Sequence, residues 1–190
     1  GHLFRRRGEV DRAIRLHQNL VARTGLSEEQ KTRAALELGE DYMRAGLLDR
    51  AETLFNDLVQ MGVHAPKALQ QLISIYQFER DWDQAITHAL KYEQISGEAM
   101  GESIAHYYCE LAEKYIHESN LHKAREQIAL AYSADSQCVR AGMLEGKLDL
   151  LEKTLSSPNS NTQDIEFLGN KYQQGEQEQA LNDIKQQRKD

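Results

Sequence analysis

Four side chains that can bind a metal fall in line: His106, Cys109, Glu113 and His117. Their spacing of 3, 4 and 4 places all four on one stripe of a helix, and each is of a type that ligates zinc. A metal-dependent enzyme or metal-binding module built on this stripe is one reading. Against it, a single straight helix cannot wrap four ligands around a tetrahedral ion. The same residues also take positions 2, 5, 9 and 13 of a helical repeat, where polar side chains line a concave groove. A second cluster is basic: Arg5, Arg6 and Arg7, followed by Arg12 and Arg15. It reads either as a contact for an anionic partner or lipid headgroups, or as a solvated helix end with Asp11 and Arg15 paired at i,i+4. The 7 histidines are scattered, and none pairs with a Ser or Cys plus an acid at a recognisable spacing. There is no nucleophile elbow, phosphate loop or metalloprotease helix. Gly1 and Gly8 are not a dinucleotide fingerprint, since no strand precedes them. No catalytic residue is assigned, and the chain is not expected to be an enzyme.

The elements that position these residues are helices. Only 2 prolines and 12 glycines punctuate 190 residues, too few for a loop-rich or disordered chain. Aromatic residues are 7%, and Ala, Leu, Glu, Gln, Arg and Lys outnumber Val, Ile and Thr. The net charge of −7 argues against non-specific nucleic-acid binding. The two cysteines make no CxxC pair, which fits free thiols in a reducing compartment. No stretch reaches the ~18 consecutive apolar residues of a membrane helix. The chain starts Gly1-His2-Leu3 without Met and reads as a piece of a longer protein.

Small residues recur at a fixed interval. Leu38-Gly39, Tyr42, Gly46, Leu48, Ala51, Phe55 and Leu58 follow the pattern of a tetratricopeptide repeat, a helix–turn–helix unit. The unit needs small residues where helices A and B cross, here Gly39 and Ala51, and large ones around that contact, here Tyr42 and Phe55. The frame extends upstream through Gly1, Phe4, Gly8, Ala13 and His17, with a turn expected at Gly8. Downstream it continues through Leu72, Tyr76, Trp82, Ala85 and Ala89, then Leu111, Ala112, Tyr115 and Ala124. The helix-B alanines Ala13, Ala51, Ala85 and Ala124 lie 38, 34 and 39 residues apart, so insertions are expected in the inter-repeat loops around Gly25–Ser27 and Ser96–Gly101. Ser27 with Gln30 reads as a capping box, Pro66 as a first-turn proline and Gly97 as a helix-ending glycine. Trp82, Tyr42, Tyr76, Tyr92 and Tyr115 fall on core positions.

The expected fold is an all-α, right-handed tetratricopeptide-repeat superhelical solenoid. Residues 1–134 form about four units, and 135–190 form further, less regular repeats. Met143, Leu144, Gly146 and Leu148 read as a fifth helix A. About half a repeat then fails to appear near Leu150, a gap in the record or a degenerate unit. Phe167 to Ile184 read as a sixth unit. Groove positions on the A helices are Arg33, Glu40, Met43, Arg44, Gln70, Ser74, Gln77, His106, Glu113 and His117. A mixed polar surface of this kind suits recognition of a polypeptide.

Several strings are more specific than the repeat consensus. They are Arg7-Gly8-Glu9-Val10-Asp11-Arg12-Ala13-Ile14-Arg15, Leu38-Gly39-Glu40-Asp41-Tyr42-Met43, Ala68-Leu69-Gln70-Gln71-Leu72 and Tyr108-Cys109-Glu110-Leu111-Ala112. Through them the chain resembles the lipopolysaccharide assembly protein B (LapB) family, well from Gly1 to about Ala134 and weakly beyond Gly146. The resemblance implies an adaptor on the cytoplasmic side of the inner membrane of Gram-negative bacteria, held there by an N-terminal helix that these residues lack. It implies that the adaptor promotes degradation of the deacetylase LpxC by the FtsH protease and so regulates lipopolysaccharide biosynthesis. It also implies a C-terminal rubredoxin-like domain binding zinc or iron through paired CxxC motifs. That domain too is missing here, so no cofactor is expected in this chain. Whether the protein pairs with a second copy is left open.

Overall fold

The computed structural model describes the backbone of residues 2–156 and the side chains of residues 8–155. Two compact units divide the chain, Gly1–Gly142 and Met143–Asp190. Among the described residues there are eight helices and no strand: α1 (His2–Ala22), α2 (Glu28–Arg44), α3 (Leu48–Gln60), α4 (Ala65–Glu79), α5 (Trp82–Ser96), α6 (Gly101–His117), α7 (Leu121–Ala134) and α8 (Val139–Ser156). The helices α1 to α6 each pack on the next in sequence, and α6 packs on α7. The pairs α2–α3, α4–α5 and α6–α7 are the expected A–B hairpins of a tetratricopeptide-type array.

Each hairpin closes in the same way. The residue at the turn adopts the left-handed conformation: Gly46 (φ 74°), Arg80 (φ 58°) and Ser119 (φ 58°). The following N–H then reaches back to a tyrosine carbonyl five residues earlier, in the end of the closing helix. Leu47 N donates to Tyr42 O (2.9 Å), Asp81 N to Tyr76 O (2.9 Å) and Asn120 N to Tyr115 O (2.8 Å). Together with the bonds Gly46 N to Met43 O, Arg80 N to Gln77 O and Ser119 N to Ile116 O, this makes a Schellman-type stop. Helix B starts at once, because Asp81 and Asn120 cap α5 and α7 with their side chains. The capping box of Ser27 and Gln30, Pro66 in the first turn of α4, and Gly97 ending α5 are all present.

The core runs between the hairpin layers. Ala51, Ala85 and Ala124 are fully buried, as are Phe55 and Ala112. Tyr42, Tyr76 and Tyr92 are buried, whereas Trp82 and Tyr115 are half-buried.

Two sequence expectations change. First, α1 runs unbroken from His2 to Ala22, with no turn at Gly8. Gly8, unlike Gly46 (φ 74°), does not take the left-handed conformation that ends a helix, and the helical ladder continues through it. Second, the long repeat intervals are not chiefly loop insertions. The connections 23–27 and 97–100 are five and four residues, against four at 61–64. Most of the extra length is helix: α2 and α6 have 17 residues each where α4 has 15, and α5 has 15 where α3 has 13. Near Leu150, where half a repeat fails to appear in the sequence, the chain is helical without a break from Val139 to Ser156. Among the described residues, a Cβ at Gly146 would meet nothing within 4 Å. The sixth unit, Phe167 to Ile184, lies outside the described residues.

Candidate protein-binding face

The A helices α2, α4 and α6 carry the predicted groove residues, and polar rungs join these helices edge to edge. Glu40 of α2 meets Lys67 Nζ of α4 at 3.0 Å and Arg44 of its own helix at 3.5 Å. Gln77 Nε2 of α4 donates to Tyr107 Oη of α6 at 2.6 Å. From α6 the row continues to Arg140, whose guanidinium meets Glu110 Oε1 at 2.7 Å and Glu113 Oε2 at 2.9 Å. Arg140 Nη1 also donates to His106 Nδ1 at 2.9 Å. Burial opposes the charge on Arg140, but the bond to Glu110 and the fields of Glu113 and Glu110 outweigh it and raise its pKa.

Of the predicted residues, Arg33, Arg44, Gln70, Ser74, Gln77, His106 and His117 are exposed, and Glu40, Met43 and Glu113 are half-buried. Gln70 Nε2 donates to Tyr92 Oη, which in turn donates to Glu98. Gln70, Tyr92, Glu98, Met100, Glu102 and Ser103 border an open pocket of about 260 Å³. Phe78, 80% exposed, occupies position 13 of the A helix α4 and was not among the predicted residues. Arg5, Arg6 and Arg7 lie on the backbone of α1, but their side chains are outside the described residues.

At the first hairpin boundary, His17 of α1 places Nδ1 2.7 Å from the buried Asp41 carboxylate and Nε2 3.0 Å from Glu37. Arg44 Nη1 holds the other Asp41 oxygen at 2.6 Å. His17, Asp41, Lys67, Glu110 and Arg140 escaped sequence reasoning because their partners on other helices lie 20 to 34 residues away. No local spacing marks such contacts.

The metal stripe does not come together. Arg140, a cation, fills the space between His106 and Glu113. Cys109 turns into the core, and its thiol is pushed up to about 12, first by burial and then by the neighbouring Cys138. A protonated, buried thiol and a guanidinium-held carboxylate are poor donors for a metal ion. Among the described residues no group of three His, Cys, Asp or Glu side chains converges on one point.

Among the described residues no helix is long and apolar enough to cross a membrane. No family model matches the chain. A crystal structure from Podosopora anserina, described as kinesin light chain nearly identical TPR-like repeats, superposes with a TM-score of 0.41 at 18% identity, covering 82% of this chain and 93% of that one. Lipopolysaccharide assembly protein B of Escherichia coli K12 is 41% identical over 148 residues, 78% of this chain. The Haemophilus influenzae protein of the same name is 40% identical over 152 residues, 80% of this chain. The chain spans 38% of the length of these curated relatives. Over that stretch it is a homologue of lipopolysaccharide assembly protein B, built as a tetratricopeptide-type helical array, as its repeat strings imply.

Proposed function

We propose that this chain is a non-enzymatic adaptor in the control of lipopolysaccharide assembly, and that it holds protein partners on the face of α2, α4 and α6. The observation that carries the reading is the row of exposed polar side chains along three successive A helices, in a homologue of an assembly protein. Such a face offers donors, acceptors and both signs of charge at about the 10 Å spacing of packed helices, which suits an extended or folded polypeptide. Phe78 adds an exposed aromatic anchor to that face. By resemblance, the partners are the FtsH protease and the deacetylase LpxC. The outcome is faster LpxC degradation at the cytoplasmic side of the inner membrane, with a tether supplied by residues outside this chain.

The test is site-specific photo-cross-linking from Gln70, Gln77, Phe78 and His117 in Gram-negative cells, with partners identified by mass spectrometry. Cross-links to the protease and the deacetylase from these positions, and not from exposed residues of α5 and α7, support the reading. Cross-links from α5 and α7 alone would move the site to the other face of the array.

A further inference from the structure

Cys109 and Cys138 are the chain's two cysteines, and both are free thiols. Neither has a part in the binding face. They are 29 residues apart in sequence, yet their sulfurs lie 3.8 Å apart. Cys109 sits on α6 and is completely buried, while Cys138 is half-buried in the connection that leads into α8. Cys138 N donates to Asp135 O, and Gly142 N donates to Cys138 O, so Cys138 sits at the N-cap position of α8.

We propose that the two cysteines form a peroxide-responsive thiol pair, in which Cys138 is oxidised first and Cys109 resolves it as an intramolecular disulfide. The partial exposure of Cys138 leaves it open to peroxide; burial keeps Cys109 protonated and out of reach of peroxide. In the first step the Cys138 thiolate attacks hydrogen peroxide. The O–O bond breaks, sulfur is oxidised to a sulfenic acid, and hydroxide leaves to take up a proton. In the second step Cys109 sulfur attacks Cys138 sulfur. The S–O bond breaks, and the departing hydroxide carries off the Cys109 proton as water. Overall, two thiols and one peroxide give one disulfide and two waters. The bond would join α6 to the start of α8 beside Arg140, whose contacts with Glu110 and Glu113 are otherwise the ionic tie at that place.

The experiment titrates the whole chain with hydrogen peroxide and follows free thiols, intact mass and protease-derived peptides. Both thiols should disappear together, the mass should fall by that of two hydrogens, and a Cys109–Cys138 linked peptide should appear and be reversed by dithiothreitol. The Tm of the oxidised chain should rise by roughly 5–10 °C, because a loop of this length is closed in the unfolded state. The variant Cys109→Ala should stop at a Cys138 sulfenic acid that dimedone traps. Three results would each overturn the proposal: oxygen accumulating on Cys138 while Cys109 stays free, a disulfide between two chains, or survival of both thiols. Peptide mapping of the unmutated chain decides among them even where Cys109→Ala does not fold.

Discussion

Gly39 of α2 and Phe55 of α3 are matched across a close helix crossing. A Cβ built on Gly39 would lie 2.5 Å from Phe55 Cε1 and 2.7 Å from Phe55 Cζ. The Phe55 ring is fully buried, with Ala51 one turn earlier on the same helix also fully buried, so the ring has nowhere to retreat. The close approach sets how α2 lies on α3, and through it where Glu40 and Arg44 stand on the binding face.

Gly39→Ala is therefore expected to destabilise the chain by about 1–2 kcal/mol, because overpacking exceeds the helix-propensity gain of alanine. Gly8→Ala should do the reverse. Gly8 lies inside α1 with no atom within 4 Å of a new Cβ, and the change should stabilise by about 0.5–1 kcal/mol. Chemical denaturation of both variants checks the pair. A stabilised Gly39→Ala would mean that α2 and α3 do not cross as described.

Ala51→Leu tests the same crossing from the other helix. Ala51 is fully buried, and three extra carbons there should cost about 1–3 kcal/mol. Melting at the parent temperature would show that the repeat register is wrong.

The hairpin turns hold non-glycine residues in the left-handed region at Arg80 and Ser119, where the first hairpin has Gly46. Arg80→Gly and Ser119→Gly should each raise stability by about 0.5–1 kcal/mol, and Gly46→Ala should lower it by about 1 kcal/mol. Thermal melts of the three single variants give the signs directly.

Alkaline pH should weaken the fold. Burial and the bond to Glu52 Oε1 (2.6 Å) push the Tyr76 phenol from 10.0 to about 12, and burial pushes the Cys109 thiol from 9.0 to about 12. Both groups hold their protons more tightly folded than unfolded. Their contribution is complete below the unfolded pKa and is lost as pH rises from about 9 towards 12. The variant Tyr76→Phe should flatten the upper part of this decline, from about pH 10, as followed by Tm against pH. A decline of the same steepness in that variant would remove Tyr76 from the account.

Arg140→Gln should lower stability by about 1–2 kcal/mol, since Glu110 and Glu113 would be left facing each other without their shared cation. The loss should shrink in high salt, which screens that repulsion. A loss independent of salt would assign Arg140 a packing role only.

Sequence alone determined the hairpin plan, because that plan rests on local physics. Helical periodicity, the capping box at Ser27, Pro66 in a first turn, Gly97 at a helix end and the Gly39–Ala51–Phe55 size pattern all act within a few residues of themselves. What each turn does also depends on whether the flanking segments have partners to bury, and there local reading failed. Gly8 looks like Gly46, yet Gly46 takes the left-handed conformation (φ 74°) while Gly8 stays inside α1. The long intervals between repeats lengthened helices more than loops, since added helical residues satisfy their own hydrogen bonds. Only the tertiary structure decided the character of the polar stripe. His106, Cys109 and Glu113 share one helix face by spacing, but Arg140 and Cys138 arrive from about 30 residues away. They turn a candidate ligand set into an ion-pair cluster beside a thiol pair. Contacts of that range depend on how successive hairpins stack, and no short window of sequence carries that information.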